Sequence, residues 1–446
     1  ENRREDWPET IERFIDFIIS ERPDIPEKTQ GKIRKYMTEF AVMPSMRFLW
    51  AAGPAAKADN TCIYNCSFAK INSVEAFAEC LYVLMCGTGF GFSVENEEVE
   101  KLPTVPAIKS ALGNPKVTIE DSKAGWADSV KTLMQSLYDG QNVYFNYDLI
   151  RGEGARLKTM GGRASGPQPL IKLHDFIRES MHNAQGRKLT PLEAHDICNQ
   201  IAEIVVVGGV RRSSQISLSD LDDQEMRHAK DWPYPIKRAM ANNSAIYRAQ
   251  PSAAEFLKEW AALALSGTGE RGIFNLEAAQ SKAPSRRYSP KIQGTNPCGE
   301  IMLRDMQFCN LSEVVIRADD DLDTLLDKVE CATWLGVIQS SFTDFPYLRE
   351  DWKKNCDVEA LLGVSLTGQM DNPSLLSSDA LAALKSRVIR IARKASGILG
   401  TKMPAATTCV KPSGTVSQLV DSASGVHPRY SEYYIRRYRI SARDPL

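Results

Sequence analysis

The sequence has little of what would place a protein quickly. Its formal charge is −1 over 446 residues, so no global field draws it to nucleic acid or to an anionic membrane. No apolar run approaches the roughly 20 residues of a membrane span. The opening ENRREDWPET is charged and lacks the apolar stretch of a secretory signal. Histidine is scarce, five in all, with no pair at metal-ligand spacing, and the ten cysteines contain no CxxC. Neither a structural zinc site nor a disulfide scaffold is expected, and no metal is assigned. No linker of low complexity and no repeat of fixed period interrupts the chain. These absences predict an intracellular, cytoplasmic protein with reduced thiols.

What is present is ordinary globular composition, 43% hydrophobic and 25% charged. WPETIERFIDFIIS and TQGKIRKYMTEF carry apolar residues at helical spacing, so residues 1–55 read as a helical N-terminal region. PSMRFLWAAGP breaks that pattern. Beyond it, helix and strand alternate: EAFAECLYVLMCGTG ends at Gly87 before GFGFSVE, and SKAGWADSVKTLMQSLYDG ends at Gly140 before QNVYFNYDLIR. The cycle recurs from LTPLEAHDIC to SQISLSDL, from SAAEFLKEW to RGIFN, and again in DKVECATWLGVIQSSFTDF and LAALKSRVIRIARKASGILG. Such alternation over residues 56–446 predicts a large α/β unit with parallel strands.

The chemistry concentrates in GTNPCGEIMLRDMQFCNLSE, which places Asn296, Cys298 and Glu300 at alternate positions and Cys309 soon after. Pro297 and Gly299 bracket the cysteine, which predicts an irregular tight loop. In an extended segment, alternate side chains share a face, so the three polar groups could meet one ligand. A carboxylate beside a thiol raises the thiol pKa and opposes a thiolate nucleophile. The same pairing suits a cysteine that gives and takes a hydrogen atom, with the carboxylate as a neighbouring base. The plain alternative is a buried cysteine in a turn.

Other motifs follow in order: NTCIYNCSF, LKTMGGRASGPQPL, VVVGGVRRSSQISLSD, GVSLTGQ, KPSGTVSQL and GVHPRYSEYYIRRYRIS. With MPSMRFLWAAG, GTGFGFSVE, NPCGEI and FCNLSE, they closely resemble the catalytic subunit of ribonucleotide reductases, above all the adenosylcobalamin-dependent class. The resemblance runs from about residue 7 to residue 446. It implies a ten-stranded α/β barrel with a central finger loop. Cys298 resembles the thiyl-radical cysteine, Glu300 the base for the 3′-hydroxyl proton, and Asn296 the amide that holds the hydroxyls. Cys66 and Cys309 resemble the redox pair that supplies two electrons per turnover. Cys62 competes with Cys66, and the NC dipeptide before Phe68 favours Cys66.

The resemblance also implies that Pro412, Ser413, Gly414 and Thr415 hold the substrate phosphate. Gly208, Gly209, Val210, Arg211, Arg212 and Ser213 would form a loop that senses an effector nucleotide, dNTP or ATP, with LKTMGGRASG nearby. The expected cofactor is adenosylcobalamin; the alternative is a small partner subunit with a dimetal site that supplies the radical. Further expected partners are a ribonucleotide, as di- or triphosphate, a thioredoxin-like or other dithiol reductant, and a second copy in a homodimer. No membrane or nucleic acid is expected, and the location would be the cytoplasm, a host's if the source is viral. No Met opens the chain and the family usually extends past Leu446, so trimmed ends are expected. A non-radical dithiol oxidoreductase would instead need an exposed cysteine of low pKa near basic residues.

Overall fold

The first helix, Trp7–Glu21, begins where its capping residues dictate. Asp6 accepts from the Glu9 backbone N–H at 2.9 Å, and Glu9 accepts from the Asp6 N–H at 2.9 Å, a reciprocal cap of a kind worth about 1 kcal/mol. Ile11, Phe14, Ile15 and Ile18 are buried on one face. That face packs on the second helix, Glu27–Thr38, and Phe14 meets the Phe48 ring edge-on at 4.9 Å. The computed structural model describes residues 5–109, 116–156, 163–207, 214–435 and 437.

PSMRFLWAAGP is more regular than its composition suggests. Val42–Pro44 is a strand (β1), and Ser45 caps a short helix, Met46–Ala51, by accepting from the Phe48 N–H at 3.1 Å. The next strands are β2 (Cys66–Lys70), β3 (Gly89–Ser93), β4 (Lys116–Thr118), β5 (Tyr144–Asn146), β6 (Gln215–Asp220), β7 (Ala241–Tyr247) and β8 (Gly272–Asn275). After them come β9 (Gly294–Thr295), β10 (Met302–Leu303), β11 (Gln307–Phe308), β12 (Leu311–Val315) and β13 (Gly363–Thr367).

One sheet has the order β11-β2-β3-β6-β7-β8. Within it β2, β3, β6, β7 and β8 are parallel, and β11 runs antiparallel along β2. Parallel neighbours need crossovers. Helix Val74–Met85 supplies the first, and helix Ala253–Ser266 joins β7 to β8. A second sheet has the order β1-β12-β13, with β12 and β13 parallel and an isolated parallel bridge from Val364 to Thr408. β4 pairs with β5, and β9 with β10. The fold is α/β, and among the described residues these sheets are open rather than closed into one ring.

Three expected helix-to-strand steps differ, one being helix Ser378–Leu399, after which the described residues hold only the isolated Thr408 bridge to β13. Helix Leu322–Ser340 is followed by a second helix, Glu350–Glu359, before β13. In QNVYFNYDLIR only Tyr144–Asn146 forms a strand. No described helix is long and apolar enough to cross a membrane. Among the described residues no group of three His, Cys, Asp or Glu side chains could hold a metal ion.

Candidate active site

The NPCGE segment is the tip of a hairpin. β9 and β10 pair antiparallel, Gly294 with Leu303 and Thr295 with Met302, and residues 296–301 join them. The hairpin's root lies against β2 and β3, and two glycines permit that crossing. A Cβ on Gly294 would stand 2.2 Å from the Phe68 ring, and one on Gly91 would stand 2.3 Å from the Thr295 carbonyl oxygen. Neither strand could carry a side chain there at this separation.

The tip is a turn rather than the extended segment in which alternate side chains share a face. Gly299 has φ +82°, and its N–H donates to the Asn296 carbonyl at 2.9 Å. Consequently Asn296 is fully buried while Cys298 is exposed. Asn296 braces the turn: its Oδ1 accepts from the Ile301 N–H at 3.0 Å and its Nδ2 donates to Glu300 Oε2 at 2.8 Å. Burial pushes the Glu300 carboxyl above its ordinary pKa, against the Asn296 bond and the Lys411 charge, and the nearby Glu313 adds to the rise.

Three thiols converge beside the hairpin. Cys66 is at the start of β2, and Cys309 follows β11; the register of Phe308 with Ser67, continued by one residue, sets Cys309 opposite Cys66. The Cys309 N–H donates to the Cys66 carbonyl at 2.9 Å. Such hydrogen-bonded antiparallel pairs have Cα atoms about 5.5 Å apart, within the span of a disulfide. The Cys66 thiol is also within hydrogen-bond reach of both the Cys298 and the Cys309 side chains. The Cys298 bond pulls its pKa down, but the Cys309 bond, burial and the Glu300 charge hold it well above the ordinary value. Pro297 and Cys66 share the space over Gly89, where a Cβ would be 3.1 Å from the Cys66 sulfur and 3.3 Å from Pro297 Cγ.

Cys62 lies elsewhere, its thiol donating to the Asp59 carbonyl at 3.1 Å, and burial raises its pKa to about 11. At KPSGT, Ser413 has φ +49° and is buried, and its Oγ has no hydrogen-bond partner among the described residues. Pro412 accepts from the Ser424 hydroxyl at 3.0 Å, and a short helix, Val416–Leu419, starts after Thr415. Gly208 to Ser213 lie outside the described residues, as do residues 157–162 of the neighbouring glycine-rich stretch.

Sequence reasoning gave Cys409 no role beyond packing and did not single out Lys411 or Glu313. All three belong to the surroundings of Glu300: burial pushes the Cys409 thiol up, the Glu300 and Glu313 charges add to the rise, and Lys411 opposes it. The available signal was the alternate spacing of Cys409 and Lys411, which lets two residues of an extended segment face one way.

A family profile described as "Ribonucleotide reductase, barrel domain" matches residues 210–346, the stretch that holds the hairpin and Cys309. Residues 210–346 carry the pattern of a ribonucleotide reductase barrel domain. All of it aligns with the adenosylcobalamin-dependent ribonucleoside-triphosphate reductases of Lacticaseibacillus paracasei, at 27% identity, and Lactobacillus leichmannii, at 26%. It covers 73% of the length of each. The fold of a B12-dependent (class II) ribonucleotide reductase superposes on 95% of the chain, and 72% of that structure, with a TM-score of 0.80 and 23% identity. The class Id ribonucleotide reductase alpha subunit of Actinobacillus ureae superposes on 96% of the chain, and 72% of that structure, with a TM-score of 0.60 and 14% identity. Within the reductase barrel domain, Asn296, Cys298, Glu300 and Cys309 lie inside the matched stretch, and Cys66 reaches them from β2.

Proposed function

We propose that this chain is the catalytic part of an adenosylcobalamin-dependent ribonucleoside-triphosphate reductase, and that it forms 2′-deoxyribonucleotides through a thiyl radical. The observation that carries the reading is the Cys66 thiol in reach of both Cys298 and Cys309, beside the Asn296–Glu300 pair. The Cys298 thiyl takes the 3′-hydrogen atom of the ribose, and Glu300 takes the 3′-hydroxyl proton. The 2′-hydroxyl gains a proton and leaves as water. Cys66 and Cys309 supply that proton, a second proton for C2′ and two electrons, closing as a disulfide, and Glu300 returns its proton to the 3′-oxygen. The 3′-hydrogen atom returns from Cys298, which regains its radical. Ser413, with its open buried hydroxyl, would take a substrate phosphate oxygen with Pro412, Gly414 and Thr415 shaping the turn.

The chain's own residues fit a bulky group over the hairpin tip. Cys298 is exposed, and nothing stands within 4 Å of where a Cβ on Gly299 would be. Adenosylcobalamin, when bound, supplies the one-electron radical source; Cys298 is the residue that would receive it. The reading further includes a ten-stranded barrel around the hairpin, an effector loop at Gly208 to Ser213, a homodimer and an external dithiol that reopens the Cys66–Cys309 disulfide.

Deoxynucleotide formation from ribonucleoside triphosphates with dithiol, with and without adenosylcobalamin, tests this. Turnover dependent on the cofactor is expected. Turnover only with a metal-containing partner subunit would make this the large subunit of a two-component reductase. Cys298→Ala should lower product formation at least about 1,000-fold, a loss of roughly 4 kcal/mol of barrier reduction, while nucleotide binding persists. Substantial residual turnover would remove the radical role.

A further inference from the structure

Helix Ala253–Ser266, the crossover from β7 to β8, turns its polar side inward. A helix that joins two parallel strands ordinarily lays its apolar stripe on the sheet. Here the one buried residue of the helix is Glu259, 1% exposed, with Arg271 Nε at 2.6 Å and Arg227 Nε at 2.8 Å. At about 3.6 residues per turn, the half of the helix opposite Glu259 carries Leu257, Trp260 and Leu265. They are 62%, 53% and 86% exposed. Alanines fill most of the remaining outward positions, at 253, 254, 261 and 264, and all four are exposed. Lys258, at the border of this face, is its one charge. A continuous apolar face left in water marks a contact surface.

The pattern of large and small residues says what fits there. Two copies of the helix, laid antiparallel about a two-fold axis level with Glu259, bring residues equally far before and after it to the same height. Leu257 then meets Ala261 and Trp260 of the second copy, and Leu265 meets Ala254. Large side chains are set against small ones, so the two helices can close to about 8–10 Å. Lys258 stays at the rim, where water and salt screen it from its twin. Phe256 stacks on Trp260 with ring centroids 6.0 Å apart, which steadies the indole before any contact forms. A membrane surface would instead call for a row of cations along the polar edge, and this helix has Lys258 alone.

We propose that this face is the contact between two copies of the chain, an antiparallel helix pair with Leu257 and Leu265 as its anchors. The homodimer of the reading above thereby gains a surface, while the contact itself owes nothing to the catalytic residues. A single helix pair lies at the small end of protein interfaces, so association at about 1–100 µM is expected.

Sedimentation of the full chain, without ligands, across about 1 to 200 µM tests this. A reversible monomer–dimer equilibrium is expected. Leu257→Lys, which buries a charge in the contact, should weaken it at least about tenfold. Leu381→Lys, at a leucine 43% exposed on helix Ser378–Leu399, should leave it unchanged. Both leucines face water in the single chain, so neither change threatens the fold. Register is read by oxidative cross-linking in a Cys298→Ser background, which removes the exposed native thiol. A mixture of Leu257→Cys and Ala261→Cys chains should link and either alone should not, since only the mixed pair comes within disulfide span. A chain that stays monomeric, or a dimer indifferent to Leu257→Lys, overturns the proposal. So does a monomer that binds anionic vesicles through this helix, which would make lipid the occupant. A monomer that still reduces nucleotides overturns the contact and keeps the reductase reading.

Discussion

Glu300 shows how one residue can weaken the fold that holds it. Its carboxyl is raised by burial, so ionising it costs more in the folded chain than in the unfolded one. The stability it contributes is fully present below its unfolded pKa and is lost as pH rises through the folded value. Glu300→Gln should therefore unfold at higher temperature than wild type at pH 7 to 8, with the gap closing below about pH 4.5. Thermal melts at the two pH values check this. A gap of the same size at both would mean that the gain comes from packing and not from charge. A base placed where its charged form is disfavoured gains proton affinity at the expense of stability, as active sites often do. Asn296 limits the loss by donating to the carboxylate while its own carbonyl oxygen secures the Ile301 N–H.

At the scale of the element, the hairpin's position depends on absent side chains. Gly91→Ala must push the Thr295 carbonyl away, and Gly294→Ala must displace the Phe68 ring. Each should cost about 1–3 kcal/mol of stability and lower turnover about 100-fold, since reacting groups displaced by about 1 Å lose that much. Gly31→Ala, at an exposed position of helix Glu27–Thr38 with nothing near its Cβ, should stabilise slightly and leave turnover unchanged. Steady-state kinetics of the three variants, beside urea unfolding, separates crossing from generic glycine effects. Much at this scale was readable from the chain. Capping residues and apolar spacing located the long helices, and alternation located β3 and β6. The hairpin's tightness followed from Pro297 and Gly299. What the chain concealed was non-local: β1 has three residues and is a strand only because β12 accepts it. The group around Glu300 likewise draws on a hairpin, on β12 and on the segment after Thr408. No local spacing joins residues that far apart in sequence.

For the whole molecule, buried ion pairs connect parts that packing alone would leave loosely related. Glu359, at the end of helix Glu350–Glu359, is 1% exposed and accepts from Arg287 Nη2 at 2.7 Å and from Gln307 Nε2 at 3.0 Å. Arg304 Nε lies 3.0 Å from its other oxygen. The one carboxylate thereby gathers the strand before Cys309, the chain leaving the hairpin and the chain leading into it. Glu359→Gln leaves two arginines without their counter-charge and should cost about 3–5 kcal/mol, read as a lower urea midpoint with an unchanged slope. A cost below about 1 kcal/mol would show that the arginines reach solvent instead. Arg349 makes a similar clamp on buried Glu79, at 2.8 Å, and joins helix Glu350–Glu359 to the crossover helix after β2.

The pairing of β11 with β2 also has a consequence for the order in which the chain is made. β2 emerges early, and one of its edges has no partner until Gln307 and Phe308 are synthesised. Contacts so distant in sequence form slowly, and an open strand edge invites wrong pairings while it waits. Cys66 begins that strand. The nascent protein therefore carries Cys66 long before Cys309 exists, and a ribosome paused between the two would hold only one thiol of the proposed redox pair.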